Sequence, residues 1–257
     1  MTDLPGESVG HRAARLAPRG AHRQRPDTQV IERPGWYQVV TPSDPSGALN
    51  EVLWSDLPDG PDDPVDERIA SVIHGYGRLG VAFKWCVWPW SRPADLAERL
   101  TAHRLTSWSA RGMTIDTGAP FTPGDTVVTE VSDEVGDFAA VWSEGWGEPL
   151  DSARADAERM ADDPRQHLFV AWCDGEPAGV ATTLDQPDAG YLQGAVVLPR
   201  FRGRGAYRSL IAARLRQLAA RGVTLATTHA REATSAPILA RLGFRTEFRY
   251  QVFRGTP

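Results

Sequence analysis

The sequence is short of cysteine and lysine and lacks a long apolar run, and each shortage excludes a class of protein. Its two cysteines, Cys86 and Cys173, are too few for a disulfide scaffold or for a zinc site built from cysteines. No apolar stretch approaches the ~18 residues that a membrane span needs. The first thirty residues contain no apolar signal-peptide core. We therefore expect a cytoplasmic protein with no bound metal and no membrane anchor.

Positive charge rests almost entirely on arginine, since Lys84 is the only lysine. The net charge of −5 argues against a general nucleic-acid binder, although a local basic patch stays open. A hydrophobic content of 41% is ordinary for a globular protein and is enough for a buried core. At roughly 150 residues per domain, the chain predicts one large domain or two small ones.

Residues 1–33 are rich in arginine and poor in large apolar side chains, which predicts a mobile tail. Such a segment cannot bury enough apolar surface to offset the entropy lost on ordering. An arm for nucleic acid or membrane is the alternative. His11 and His22 show no metal-ligand spacing. The arginines of the segment are Arg12, Arg15, Arg19, Arg23, Arg25 and Arg33.

After the tail we expect a small α/β unit over 34–117, a Pro- and Gly-rich linker over 118–125, and a second unit over 126–257. In the first unit, Pro64 occupies a position typical of a helix start, and glycines mark the end of that helix. The alternation of apolar residues and the helical spacing define the remaining elements. The predicted elements of this unit are strands 36–40, 51–54, 81–88 and 105–115, loop 59–63, and helices 64–77 and 93–103.

The second unit has a distinctive order of elements, β-α-α-β-β-β-α-β-α-β. A turn over residues 174–177 joins two of its strands as a hairpin. The predicted elements are strand 126–131, helices 134–143 and 151–161, strands 167–173, 178–184 and 190–198, helix 205–221, strand 223–229, helix 235–242, and strand 244–253.

The segment from Gly194 to Leu210 carries the chemistry of the second unit. A buried strand runs into Pro199, and a short loop of arginine and glycine then opens onto a helix. Gly203 and Gly205 let the backbone turn sharply and approach a ligand. Amide protons at a helix start form an anion site that the helix dipole strengthens. Charge suited to phosphate is added by Arg200, Arg202 and Arg204.

Two familiar phosphate loops are excluded at this position. A P-loop needs Gly-Lys-Ser/Thr, and the loop contains no lysine. A dinucleotide fingerprint needs a third glycine where this chain has Arg208. On loop chemistry alone, a plain turn with surface arginines stays open beside the phosphate site.

Together with the element order, this segment resembles the GNAT superfamily of acyl-CoA-dependent N-acetyltransferases. The family signature Q/R-x-x-G-x-G/A falls on Arg202-Gly-Arg-Gly-Ala-Tyr207, and Leu242-Gly-Phe244 is similar to the family's ending of its last short helix. The resemblance covers about residues 124–255. It implies a GNAT fold of the α/β (α+β) class, with a mixed central sheet flanked by helices. The first unit looks like a degenerate GNAT half, which gives a tandem arrangement.

The resemblance also implies a site for acetyl-CoA as cosubstrate. Backbone groups of Val196 and Val197 would meet the pantetheine arm. The amide of Val197 would donate to the thioester oxyanion, a form of transition-state stabilisation by fixed dipoles. The pyrophosphate would be held by the amides of Arg202, Gly203, Arg204, Gly205, Ala206 and Tyr207.

The chain departs from the family pattern at two positions. Tyr207 stands where the signature has Gly or Ala, so its side chain either packs into the core or reshapes the cofactor site. Leu239 stands where many members carry a tyrosine that protonates the leaving thiolate. A thiol with a pKa near ~8.5 leaves with little help. We expect Ser235 or a bound water to substitute.

The general base is sought near the ends of two central strands. Tyr191 and Gln193 share one face of the strand that enters the cofactor site. His229 ends the neighbouring strand, and its ordinary pKa of ~6.5 suits a base; the alternative is a hydrogen-bonded histidine without a catalytic role. Glu144 and Glu232 are further candidates, or solvated surface charges. The catalytic residues expected from the sequence are therefore His229, Ser235 and Tyr191.

The aromatic run from Phe83 to Trp90 is the strongest feature of the first unit. On a strand, Phe83 and Trp85 face one way, and Cys86 and Trp88 face the other. The run either lines an acceptor pocket between the two units or packs as core. Cys86 is expected to be an inert buried thiol.

These observations predict an enzyme that moves an acetyl group from acetyl-CoA to an amine of a small molecule by direct transfer in a ternary complex. No pattern for a covalent nucleophile is present. Two alternatives stay open. The fold can serve another acyl donor, such as a longer acyl-CoA or aminoacyl-tRNA, or the protein can be a non-catalytic acyl-CoA sensor. A homodimer is also left open.

Overall fold

In the computed structural model, which describes residues 6–21, 25–57, 64–131 and 134–257, eleven strands form one mixed sheet. Most neighbours are antiparallel, and the pairs β3–β4 and β9–β10 are parallel. The order of strands across the sheet is β1-β2-β3-β4-β11-β5-β10-β9-β8-β7-β6. The strands are β1 Gln29–Arg33, β2 Trp36–Val40, β3 Glu51–Ser55, β4 Phe83–Val87, β5 Thr106–Asp116, β6 Val127–Glu130, β7 Gln166–Cys173, β8 Glu176–Asp185, β9 Gly190–Val197, β10 Leu225–Arg231 and β11 Arg245–Gly255.

The helices pack on both faces of this sheet, which confirms the predicted fold class. Predicted and observed elements differ by a few residues at their ends. The predicted loop 59–63 lies outside the described residues. The helices are α1 Val9–Leu16, α2 Val65–Leu79, α3 Leu96–Ala102, α4 Gly136–Trp146, α5 Leu150–Asp162, α6 Ala206–Ala220 and α7 Ser235–Arg241, with a short 3-10 turn at Pro199–Phe201.

The two predicted units share strands. β5, from the end of the first unit, lies between β10 and β11 of the second unit, and β11 in turn pairs with β4. The exchange places Phe253 beside Trp85, where both rings join one core. The two halves are therefore joined through the middle of a continuous sheet.

Helices α6 and α7 cover one face of the second half, and α1, α4 and α5 cover the other. Ala226 and Ala230 of β10 pack with Leu239 of α7. Because side chains alternate along a strand, His229 points to the opposite face. There α1 crosses β10, β5 and β11.

The segment predicted as a mobile tail contains α1 and β1 in its described part, so the prediction fails there. The buried side of α1 is built from small residues rather than large apolar ones: Ala13, Ala14 and Ala17 are at most 5% exposed. Ser8 caps the helix by accepting a hydrogen bond from the amide of His11. His22 and Arg23 lie outside the described residues.

Arg25 fastens the end of this segment to the second half of the chain. Its guanidinium donates to Asp156 at 2.8 Å and to Glu148 at 2.7 Å, and also to the carbonyl of Ser43. Asp156 is 1% exposed. The hydrogen bond to Asp156 is the main reason that the pKa of Arg25 is raised. Polar contacts therefore help to order a segment that buries too little apolar surface to offset the entropy lost on ordering.

Among the described residues, no helix combines the length and apolar composition that crossing a membrane requires.

Candidate functional site

The predicted phosphate loop has the backbone geometry of an anion site. Gly203 and Gly205 have φ of +79° and +84°, a region that residues with a side chain rarely adopt. A Cβ on Gly203 would meet nothing within 4 Å, so the space beside it is open. Helix α6 begins directly afterwards at Ala206.

The amides of this loop are available to a ligand. Arg202 donates its amide proton to the carbonyl of Pro199. Among the described residues, no acceptor receives the amide protons of residues 203–207. Their N–H groups lie at the start of α6, where the helix dipole adds partial positive charge. The loop therefore offers several donors to a pyrophosphate.

Strands β9 and β10, both described in full, separate beside this loop. They pair at Gly190–Ala226 and Tyr191–Thr227 and then diverge. Gly194 is an extra residue opposite β8, because the register shifts between Ala181 and Thr182. Such a bulge bends a strand.

The divergence turns the amide of Val197 toward the gap. Leu198 donates its amide proton to Ala178 at 2.9 Å, so the neighbouring pair Val197–Gly179 is a non-hydrogen-bonded pair of the antiparallel ladder. The N–H of Val197 therefore points away from β8, toward the gap between β9 and β10. Val196 turns its side chain to Gly145 of α4.

The large side chain of Tyr207 packs in the core rather than in the loop. It contacts the cluster that contains Ile211, Leu215 and Leu239. Burial raises the pKa of its hydroxyl. The departure from the family signature at this position therefore leaves the loop open.

The three loop arginines are held at the rim of the site. Arg200 pairs with Glu144, and Arg204 pairs with Asp174 at 2.5 Å. Arg202 donates to the carbonyl of Val197 at 3.2 Å. The two ion pairs are exposed, so a phosphate can compete with them.

His229 lies beside the gap in an aromatic cage, with its ring 5.7 Å from Tyr191 and 5.6 Å from Trp88. Its Nε2 donates to the carbonyl of Ala14 at 2.9 Å. Burial lowers the pKa of His229 to about 4. Burial also raises the pKa of the Tyr191 hydroxyl. The structure thus brings His229 and Tyr191 together and keeps both neutral at pH 7.

Ser235 is not beside them. It begins α7, on the face of the sheet opposite to His229. Leu239, in the position of the family's tyrosine, is buried in the core. Glu232 is held by Arg111, whose hydrogen bond lowers the pKa of the Glu232 carboxyl. Glu144 is held by Arg200.

Arg214 is a functional candidate that the sequence analysis missed. It lies on α6 and is 2% exposed, and its Nη1 donates to the carbonyls of Thr182 and Gln193, the cross-strand pair that borders the register shift. Burial lowers the pKa of this guanidinium to about 10. The signal in the sequence was an arginine among the apolar positions of a helix that faces the sheet.

The aromatic run of the first half divides between two environments. Phe83 and Trp85 are core residues. Cys86 is buried, which raises the pKa of its thiol well above the usual value. Trp88 stacks on Tyr250 with ring centroids 4.2 Å apart and also lines a cavity. Within the described residues, no cluster of side chains is placed to bind a metal ion.

The separated strands lie beside an amide-lined loop at a helix start, and this arrangement, together with the family match that follows, identifies an acyl-CoA-dependent N-acyltransferase. Residues 134–244 match the model of the acetyltransferase (GNAT) family. This part of the chain is a GNAT domain, and the family predicted from the sequence is confirmed. A comparison with curated proteins finds no match.

Solved structures share the fold over nearly the whole chain. A GCN5-related N-acetyltransferase from Kribbella flavida is 16% identical, with 98% of this chain and 97% of that chain covered and a TM-score of 0.64. A tandem GNAT protein from the clavulanic acid biosynthesis pathway is 15% identical, with coverage of 99% and 89% and a TM-score of 0.61. A protein of unknown function from Staphylococcus epidermidis ATCC 12228 is 13% identical, with coverage of 90% and 94% and a TM-score of 0.66. These likenesses support the two-unit arrangement.

Proposed function

We propose that the protein transfers an acetyl group from acetyl-CoA to an amine of a small molecule, in one step within a ternary complex. The observation that carries this proposal is the row of available amides from Gly203 to Tyr207, next to the gap that receives the Val197 amide. Acetyl-CoA would supply an activated thioester at that gap. The residues present fit its pyrophosphate and its pantetheine arm.

Each part of the site has one task in this proposal. The loop amides bind the pyrophosphate. The Val197 amide donates to the thioester oxygen as negative charge develops there. Arg214 holds the carbonyls of Thr182 and Gln193, which fixes the bend of β9 from behind.

Proton transfer is the part in which this chain differs from its family. An amine near pKa 10 must lose a proton before it attacks. His229 lies beside the gap, and its Nδ1 is the acceptor atom because Nε2 donates to Ala14. Its pKa of about 4 makes it a weak base for this step. A water on the path from the amine to His229 would complete the route. Ser235 would reach the leaving thiolate only from the opposite face of the sheet.

The proposal is tested by thermal unfolding with acetyl-CoA, CoA and longer acyl-CoAs, using two matched variants. Gly203→Asp places a carboxylate among the amides, and Gly203→Asn places a neutral group of the same size. Asp and Asn both tolerate positive φ better than other side chains. A ligand at a hundred times its dissociation constant adds about 2.7 kcal/mol to stability. For a chain of this size that is a shift of several degrees.

We expect acetyl-CoA to stabilise the wild type and Gly203→Asn, and to stabilise Gly203→Asp much less. No shift with any CoA in the folded wild type would overturn the proposal. A larger rise of the unfolding midpoint with a longer acyl-CoA than with acetyl-CoA would indicate that the longer acyl-CoA is the acyl donor. Binding without thiol release across a broad amine panel would favour an acyl-CoA sensor, a second candidate that the buried Leu239 supports.

A further inference from the structure

A cavity of about 370 Å³ lies between α1 and the strands β1–β3, outside the loop and gap described above. Its wall is made of arginines from the N-terminal segment and of aromatic rings from the first half of the chain. Pockets for small ligands combine an apolar lining with a few polar groups that fix orientation. The wall residues used below are Arg15, Arg19, Glu32, Arg33, Trp54 and Trp88.

Arg15 lies in this wall with its charge already balanced by a carboxylate. Its side chain is 1% exposed, and Nε and Nη2 form a fork onto the carboxylate of Glu7 at 2.6 and 2.7 Å. Within the described part of the chain, the remaining nitrogen, Nη1, is buried and has no hydrogen-bond acceptor. Because this nitrogen is closed to solvent, it offers no donor to a ligand in the cavity.

The charges around the cavity favour an anion. Arg19 is paired with Glu32, and Arg15 with Glu7. Arg33 is exposed and holds its guanidinium over the ring of Trp36, 5.3 Å from the ring centroid. Within residues 6–21, 25–57, 64–131 and 134–257, no carboxylate pairs with Arg33, so its charge remains at the cavity wall.

The rest of the wall suits a flat apolar body. Trp54 and Trp88 line the cavity, and both stand within 6 Å of Trp90. Trp88 also contacts the ring of His229. Trp88 and His229 therefore lie between the cavity and the gap between β9 and β10.

We propose that this cavity binds a small molecule that carries a carboxylate on an aromatic body, with the carboxylate at Arg33 and the ring against Trp54 and Trp88. The site goes beyond acyl transfer, since its occupant is either the amine acceptor itself or a separate regulator. An acceptor and a regulator would be recognised by the same groups of the cavity, because both would carry a carboxylate and an aromatic ring.

The test is isothermal titration calorimetry with indole-3-acetate and its neutral isostere indole-3-acetamide, on wild type, Arg33→Gln and Trp54→Leu. Arg216→Gln, an exposed arginine of α6, is the matched control. We expect the carboxylate to bind wild type and Arg216→Gln at least about tenfold more tightly than the amide. Arg33→Gln should reduce that preference several-fold, and Trp54→Leu should weaken both probes.

Equal affinity for the two probes, or an unchanged preference in Arg33→Gln, would overturn the proposal. Tryptophan, which adds an amine to the same body, separates the two sources of the ligand. Thiol release from acetyl-CoA with tryptophan would identify the acceptor, and tryptophan binding without thiol release would identify a regulator; either result upholds the site. Because these titrations omit acetyl-CoA, their outcome is independent of the acetyl-CoA shift that tests the proposed function.

Discussion

His229 and Ala14 are 215 residues apart in sequence and are joined by a hydrogen bond of 2.9 Å from the imidazole Nε2 to the carbonyl oxygen. The bond fastens the N-terminal helix to the strand beside the proposed transfer site. It also fixes which imidazole nitrogen carries the proton, because a carbonyl can only accept. The state of the N-terminal segment and the chemistry of His229 are therefore coupled.

The first prediction concerns acid stability. The pKa of His229 is lowered to about 4 by burial, whereas an unfolded histidine titrates near ~6.5. Between these values the unfolded chain binds the proton and the native chain does not, so the free energy of unfolding falls as the pH falls through this window. The slope from one group is at most about 1.4 kcal/mol per pH unit. Urea unfolding from pH 7 to pH 4 measures it.

The variant His229→Gln separates the contribution of His229 to the pH dependence of stability from that of the other titrating groups. Glutamine keeps an N–H donor for Ala14 and does not titrate, so the variant should lose less stability on acidification than the wild type. His74→Gln, at an exposed histidine of α2, is the control and should follow the wild type. Parallel curves for wild type and His229→Gln would contradict the assignment.

The second prediction concerns Arg214. Arg214→Met removes the donors to the carbonyls of Thr182 and Gln193. Unpaired buried carbonyls cost about 1–3 kcal/mol each, and part of that is offset because a buried charge is also removed. We expect a net loss of about 2 kcal/mol in urea unfolding, with weaker acetyl-CoA binding. The exposed neighbour Arg216→Met should change stability by less than about 0.5 kcal/mol.

The third prediction concerns the attachment of the N-terminal segment. Arg25→Gln removes the ion pairs to Glu148 and to the buried Asp156. We expect hydrogen exchange of the α1 amides to speed up at least about tenfold, which corresponds to about 1.4 kcal/mol, while β8 keeps its protection. The control is Arg165→Gln, which breaks the exposed pair with Asp163. An unchanged α1 would show that the alanine face holds the helix without Arg25.

The sequence predicts the elements of this fold much better than their arrangement. Local patterns locate strand β9 and helix α6 because apolar spacing and loop glycines leave a direct mark. Helix α1 was not predicted because its buried side consists of small residues such as Ala13 and Ala14. The position of β5 between β10 and β11 was not predicted because no local periodicity encodes the order of strands across a sheet.

The candidate site divides in the same way. The loop from Gly203 to Tyr207 was predictable because positive φ and free amides follow from glycine before a helix. The environment of His229 was not, because its lowered pKa comes from the burial produced by long-range packing around it. Arg214 was missed for the same reason, since its burial depends on the bend of β9.

The last prediction concerns the close approach of α4 to β9. A Cβ on Gly145 would lie 2.6 Å from Cγ2 of Val196 and 2.8 Å from Cγ1. Valine is branched and stiff, so the strand must shift. Although alanine favours helix over glycine by about 1 kcal/mol, overpacking costs typically about 1–3 kcal/mol. We expect Gly145→Ala to lose stability on balance and to weaken acetyl-CoA binding, because Val197 moves with Val196.

Two further variants locate the cause in this contact. Gly136→Ala, on the same helix, places its Cβ 3.9 Å from the nearest atom, Nη2 of Arg154, and should be neutral or stabilising. In the double variant Gly145→Ala with Val196→Ala the new methyl fills the space that valine leaves. The double variant should therefore lose less free energy of unfolding than the two single variants lose together. The difference should be about 0.5–3 kcal/mol, the range for residues in contact. Additive losses in urea unfolding would mean that α4 and β9 do not meet at this point, and the path from α4 to the Val197 amide would fail with it.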